Sequence, residues 1–143
     1  MKIRILKIMG IIIALLLLIS ISIAIGKTTT QTELEITDIR GGIFSVEVDI
    51  INVGEVTAED VSISIFIQGG IFNKIHIFHE CSGCTNCSTT LDPGLTKTEK
   101  SREGGILVGF GNVEIIVNAG ANNAELVTET LQGYVIGPLV IIQ

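Results

Sequence analysis

Three cysteines, Cys81, Cys84 and Cys87, fall within the stretch HECSGCTNCS, which opens at His79, and they are all the cysteines the chain has. Their two-residue gaps let three thiolates reach one metal ion, and His79 supplies the fourth ligand of a Cys3His tetrahedron of the structural zinc type. The metal-binding candidates are therefore His79, Cys81, Cys84 and Cys87, with zinc as the possible cofactor. A cubane cluster needs a fourth cysteine, which the bacterial ferredoxin spacing would put where Leu91 stands. A thioredoxin-like role would need the C-x-x-C to open a helix in an α/β fold. The competing reading is oxidation: a Cys81–Cys87 disulfide leaves Cys84 unpaired, and the sequence does not choose among the three pairings. Asn86-Cys87-Ser88 also reads as a glycosylation sequon, a pattern that arises often by chance.

No other stretch carries a recognisable chemistry. There is no Walker-type loop, and GFGNVE at 109–114 lacks the third glycine and the strand-turn-helix setting that phosphate binding needs. A Ser/His/Asp arrangement would have to use His76 or His79, the only histidines, and no G-x-S-x-G elbow accompanies either. His76 is out of phase with Ile75 and Ile77, so it is expected to face solvent. The expectation is a protein without catalytic residues, not an enzyme.

The elements that must position the cysteines show a period of two. Phe44, Val46, Val48 and Ile50 alternate with Ser45, Glu47 and Asp49, and Val61, Ile63, Ile65 and Ile67 alternate with Ser62, Ser64, Phe66 and Gln68, the pattern of strands with one buried face. Further strands are expected over 34–39, 71–78, 88–91, 106–117, 124–131 and 134–142. Gly41-Gly42, Gly69-Gly70, Asp92-Pro93-Gly94, Gly104-Gly105, Gly120 and Gly133 separate them. Short β-branched segments between glycine-rich turns imply an all-β, antiparallel sandwich. On this reading 71–78 and 88–91 are the arms of a hairpin with the cysteines at its tip. One internal echo stands out: IINVGEVTAEDV at 50–61 aligns with IIVNAGANNAELV at 115–127 with Asn52 on Asn118. It is read as one strand-turn-strand solution used twice, with duplicated binding loops as the alternative.

Residues 1–26 differ from the rest. Lys2, Arg4 and Lys7 precede an uncharged apolar run over 8–26, which as a helix spans roughly 28 Å, close to the hydrocarbon thickness of a bilayer. A retained anchor is favoured over a signal peptide cleaved near Gly26, because the run exceeds the usual h-region; a prepilin-type cut after Gly10 is a third reading. Each sends the remainder across the membrane, leaving the basic residues inside. The expected organisation is a membrane segment over 1–26, a polar tether over 27–32 and one extracytoplasmic domain over 33–143. From Lys27 onward six basic residues face fifteen acidic ones, a balance of −9, which repels phosphate backbones and argues against nucleic-acid binding.

The stretch SVEVDIINVGEVTAEDVSISIFI resembles the CARDB-type, immunoglobulin-like sandwich domains of prokaryotic and especially archaeal surface proteins. In these a strand ends in Asn-x-Gly, an alanine follows and an alternating β-branched strand resumes. The likeness covers 34–67; GYVIGPLVII at the end resembles the last strand of short archaeal anchored proteins of this type more loosely. It implies an immunoglobulin-like β-sandwich used for adhesion, spacing or assembly at the cell surface, and it transfers no site residues, because the family does not require the cysteine cluster. The leading expectation is a membrane-anchored, outward-facing module that works by contact with protein partners or by self-association. A metal or redox module built on Cys81, Cys84 and Cys87 is the second. The third is a secreted fibre subunit in which TELEITDI, 32–39, completes a neighbour's sheet.

Overall fold

The computed structural model describes residues 31–81 and 90–143. The membrane segment over 1–26, most of the tether, Cys84, Asn86 and Cys87 lie outside the described residues. Among those described, the chain is all-β, and no helix is long and apolar enough to cross a membrane. Ten strands follow in order: β1 (Leu34–Gly41), β2 (Val46–Asn52), β3 (Ala58–Glu59), β4 (Ser62–Gly69), β5 (Ile75–Cys81), β6 (Thr90–Leu91), β7 (Thr96–Lys100), β8 (Gly109–Ala121), β9 (Ala124–Gly137) and β10 (Leu139–Ile142).

Every ladder is antiparallel. One sheet has the order β1-β2-β7, a second β10-β9-β8-β4-β5, and a two-stranded β3-β6 ribbon lies at one end. The period-two pattern decides which faces meet. Val46, Val48 and Ile50 of the first sheet and Ile63, Ile65, Ile67, Ile115 and Val117 of the second are all fully buried in one cluster. Branched side chains that stand perpendicular to the pleat fill the space between two sheets, which is the arrangement of a β-sandwich. One flank is sewn up by backbone bonds: Phe44 N–H donates to Pro138 O (2.7 Å) and Val140 N–H to Gly42 O (2.9 Å), so the end of β1 meets β10. The other flank is bounded by β5 and β7, the edge strands of the two sheets among the described residues.

Three expectations need correction. The segments at 71–78 and 88–91 do not form a hairpin: β5 pairs with β4, whereas β6 pairs with β3. Leu91 is buried against the core and Leu95 N–H closes a turn on Asp92 O (3.0 Å), so the chain leaves the second sheet at Cys81 and enters the first at Thr96. Gly133 does not break the last strand, because β9 runs on to Gly137, and the turn falls at Gly137-Pro138, where φ is 60°. The echo is not one solution used twice either. Asn52 ends β2, but Asn118 lies inside β8, which continues to Ala121. The two echoed turns instead touch: Asn123 Oδ1 accepts from Glu59 N–H (2.9 Å), Asn123 Nδ2 donates to Thr57 O (2.9 Å), and Asn122 N–H donates to Glu59 O (2.8 Å).

The outer face of the first sheet carries a charge network. Arg40 Nη1 donates to Asp38 Oδ2 (2.6 Å) and Asp49 Oδ2 (2.5 Å), and Thr98 Oγ1 donates to Asp49 Oδ1 (2.6 Å). The Arg40 guanidinium, and then the Thr98 hydroxyl, hold the Asp49 carboxyl below the usual carboxylate range. A depressed folded pKa adds stability that is present above the unfolded value of about 3.9 and is lost as pH falls through the folded value. Acid titration of thermal stability should therefore show a small, salt-screened loss below about pH 4. Arg40→Met should flatten it; an unchanged slope in that variant would remove Asp49 as its source.

Candidate functional site

The cysteine-bearing strand meets the other sheet at the open flank. On β5, His79 sits opposite Ile65 and Cys81 opposite Ile63, and on β7, Lys97 sits opposite Ile50 and Glu99 opposite Val48. Directly paired residues share a face of a sheet, so all four point inward from edge strands, level with the aliphatic core. They meet across the gap. Lys97 Nζ lies 3.3 Å from Glu99 Oε1 and 3.7 Å from Cys81 Sγ, and His79 Nε2 lies 3.5 Å from Glu99 Oε2. His79 is only 6% exposed, and its Nε2 makes no hydrogen bond. Charged side chains facing inward at an edge spoil the apolar surface a further strand would need, so the cluster closes the flank without inviting another chain to pair.

Cys81 is 1% exposed and disulfide-bonded. A sulfur in a disulfide is not a thiolate, and the ammonium of Lys97 stands beside it, a poor neighbour for a metal cation. Among the described residues no group of three or more His, Cys, Asp or Glu side chains is placed to hold a metal ion. The structure therefore brings His79 and Cys81, two of the four candidate ligands, to one buried cluster, and Cys84 and Cys87, the other two, lie outside the described residues. His76 is exposed as expected, with Nε2 2.8 Å from Asn73 O.

Sequence reasoning missed Lys97 and Glu99 because TKTEK has no apolar residue to mark a strand. The available signal was the alternation itself, two threonines spaced by two after the Asp92-Pro93-Gly94 turn.

No family model matches this chain, and no curated protein does. The immunoglobulin-like and CARDB-type resemblance of 34–67 accordingly enters the functional reading as a proposal.

Proposed function

We propose that this is a membrane-anchored, extracytoplasmic, immunoglobulin-like β-sandwich that acts by contact at the cell surface. The observation that carries the reading is the disulfide at Cys81, because disulfides persist in oxidising compartments outside the cytoplasm. The basic head and apolar run over 1–26 agree with it, as does the CARDB-like Asn-x-Gly-then-Ala pattern. In this reading the acidic surface serves solubility, and protein partners or further copies of the chain are the ligands. N-terminal sequencing of membrane and secreted fractions tests it: residue 1 retained in an alkali-resistant membrane fraction supports the anchor. A mature chain beginning after Gly26 in the secreted fraction replaces the anchor with a signal peptide and revives the fibre subunit.

One geometric feature favours a second reading, a redox-sensitive loop on the same scaffold. An ammonium 3.7 Å from Cys81 Sγ would stabilise the thiolate released on reduction, which makes a disulfide easier to reduce. Lys97→Met should then resist reduction by a dithiol more than wild type does, and an unchanged midpoint would leave Cys81 a plain staple. Cys81→Ser should lower stability by about 2 kcal/mol, the scale for a loop as short as the Cys81-to-Cys84 or Cys81-to-Cys87 spacing allows, as read by thermal melting. Stoichiometric zinc in the reduced protein, lost when the three cysteines become serine, would favour the metal site on His79, Cys81, Cys84 and Cys87 instead.

A further inference from the structure

The tripeptide Gly-Gly-Ile occurs three times, at 41–43, 69–71 and 104–106, and the fold carries all three copies to one end of the sandwich. There β1 finishes opposite the start of β2, β4 finishes opposite the start of β5, and β8 begins opposite the end of β9. In each copy a Cβ on the first glycine would run into the carbonyl of a neighbouring strand, that of Val140, Asn112 or Phe78. In each the isoleucine projects outward, with Ile43 65%, Ile71 56% and Ile106 64% exposed. Phe72, 87% exposed, stands at the apex with φ 59° and ψ 24°, a left-handed conformation that non-glycine residues avoid. Val108 and Phe110 extend the apolar surface, each more than half exposed. Large aliphatic and aromatic side chains gathered from separate loops exceed the singly scattered apolar residues of an ordinary surface.

The polar groups at this end indicate what covers it. Six loop amides are already bonded within the chain: Gly42 to Ser45 O, Phe44 to Pro138 O, Gly70 to Asn112 O, Asn73 to Gly70 O, Gly105 to Arg102 O and Leu107 to Phe44 O. A protein interface uses about one hydrogen bond per 100–200 Å² and centres on Trp, Tyr and Arg. A tip of Ile, Val and Phe whose neighbouring loop amides are spent on bonds within the chain suits a medium that offers few hydrogen bonds. The charges agree. Lys74 and Arg102 flank the apolar residues, with Glu103 next to Arg102 in the turn that leads into the third copy, whereas the domain as a whole is strongly acidic. Apolar side chains rimmed by cations are the chemistry that enters the boundary of an anionic lipid layer.

We infer that the three Gly-Gly-Ile loops form a lipid-docking tip, inserting Ile43, Ile71, Phe72 and Ile106 into an anionic membrane surface with Lys74 and Arg102 at the headgroups. The chain enters β1 at the opposite end, where Leu34 pairs with Asn52. The thirteen residues of β8 set the separation at about 40 Å. Resting on the anchored reading above, the tip meets a second membrane rather than the one that holds residues 8–26.

The test uses full-length chain reconstituted into vesicles of equal parts phosphatidylcholine and phosphatidylglycerol, mixed with labelled protein-free vesicles of the same composition. Wild type should capture the protein-free vesicles. A Phe72→Asp/Ile106→Asp variant, changed only at exposed positions, should lose capture by at least about tenfold with an unchanged melting temperature. Lys74→Glu should weaken capture roughly fivefold, which keeps the test decisive if the double variant misfolds. Capture confined to vesicles that also carry protein would make a second copy the occupant and overturn the inference. So would capture undiminished in the variants, or no capture at all. An alkaline carbonate wash reads the anchor separately: wild type released by carbonate, yet floating with vesicles before the wash only when Phe72 and Ile106 are intact, sinks the anchor and keeps the tip.

Discussion

Replacing Asn52 by alanine is expected to lower stability by about 3 kcal/mol, roughly 15 °C in melting temperature for a domain of this size. Asn52 is fully buried at the end of β2. Its Nδ2 donates to Val56 O and Leu91 O, both at 2.8 Å, and its Oδ1 accepts from Gly54 N–H at 3.0 Å. One amide thus ties the β2–β3 link to β6, which has only two residues with which to hold itself to the sandwich. Alanine would take the side-chain donor from Leu91 O and leave Val56 O and Gly54 N–H with only their longer bonds, to Thr32 Oγ1 (3.5 Å) and Glu33 O (3.3 Å), and a buried group left unsatisfied costs on the order of 1–3 kcal/mol. Asn52→Asp separates the hydrogen-bond account from simple packing. Its carboxylate keeps the Gly54 bond but faces two carbonyl oxygens, so its folded pKa is raised. A carboxyl whose folded pKa is raised favours folding below its unfolded value of about 3.9, where it is protonated and can donate to one carbonyl, and loses that advantage as pH rises. The Asp variant should come closest to wild type below about pH 4 and fall further behind towards neutrality. A loss under 1 kcal/mol in the alanine variant, or no pH trend in the Asp variant, would show that the three hydrogen bonds contribute little.

Asn52 also shows where sequence reading was right for an incomplete reason. Asn-x-Gly marks a strand exit, and β2 does end there. Asparagine and glycine tolerate positive φ better than other residues, yet neither Asn52 nor Gly54 has it. The asparagine is there for its side-chain amide, and Gly54 because a Cβ would collide with the backbone at Gln31, Thr32 and Glu33. Local pattern exposed the strands whose one face is aliphatic, β2, β4 and the body of β8, since burial between two sheets selects that alternation directly. It could not expose β7, whose inward residues are Lys97 and Glu99, nor the pairing of β6 with β3, which is set by side chains thirty-odd positions apart in the chain. The same limit applies to the cysteines. Their spacing shows that they can act together, but the cation beside Cys81 comes from another sheet, and only the fold brings it there.

Gly41→Ala and Gly104→Ala should each cost about 2 kcal/mol, and the double variant about 4, with the two losses adding to within about 0.5 kcal/mol. These glycines stand at the turns, where their first role is punctuation, yet both have negative or extended backbone rather than the left-handed conformation that calls for glycine. What demands glycine is proximity: a Cβ on Gly41 would overlap the Val140 carbonyl and one on Gly104 the Phe78 carbonyl. These contacts lie on opposite flanks, Gly41 where β1 meets β10 and Gly104 where the chain after β7 leans on β5. A methyl group at either place must push a backbone away, because no flexible side chain is there to yield. Each variant should therefore loosen one flank alone. Hydrogen exchange separates them: Gly41→Ala should speed exchange at Phe44 and Val140, whose amides cross that seam, and Gly104→Ala should leave those two amides as protected against local opening as in wild type. The flanks also hold the Gly-Gly-Ile loops in place. If the tip docks on lipid as a preformed surface, both alanine variants should weaken vesicle capture without changing a single exposed side chain, whereas a surface organised by the lipid itself would tolerate either loosened flank.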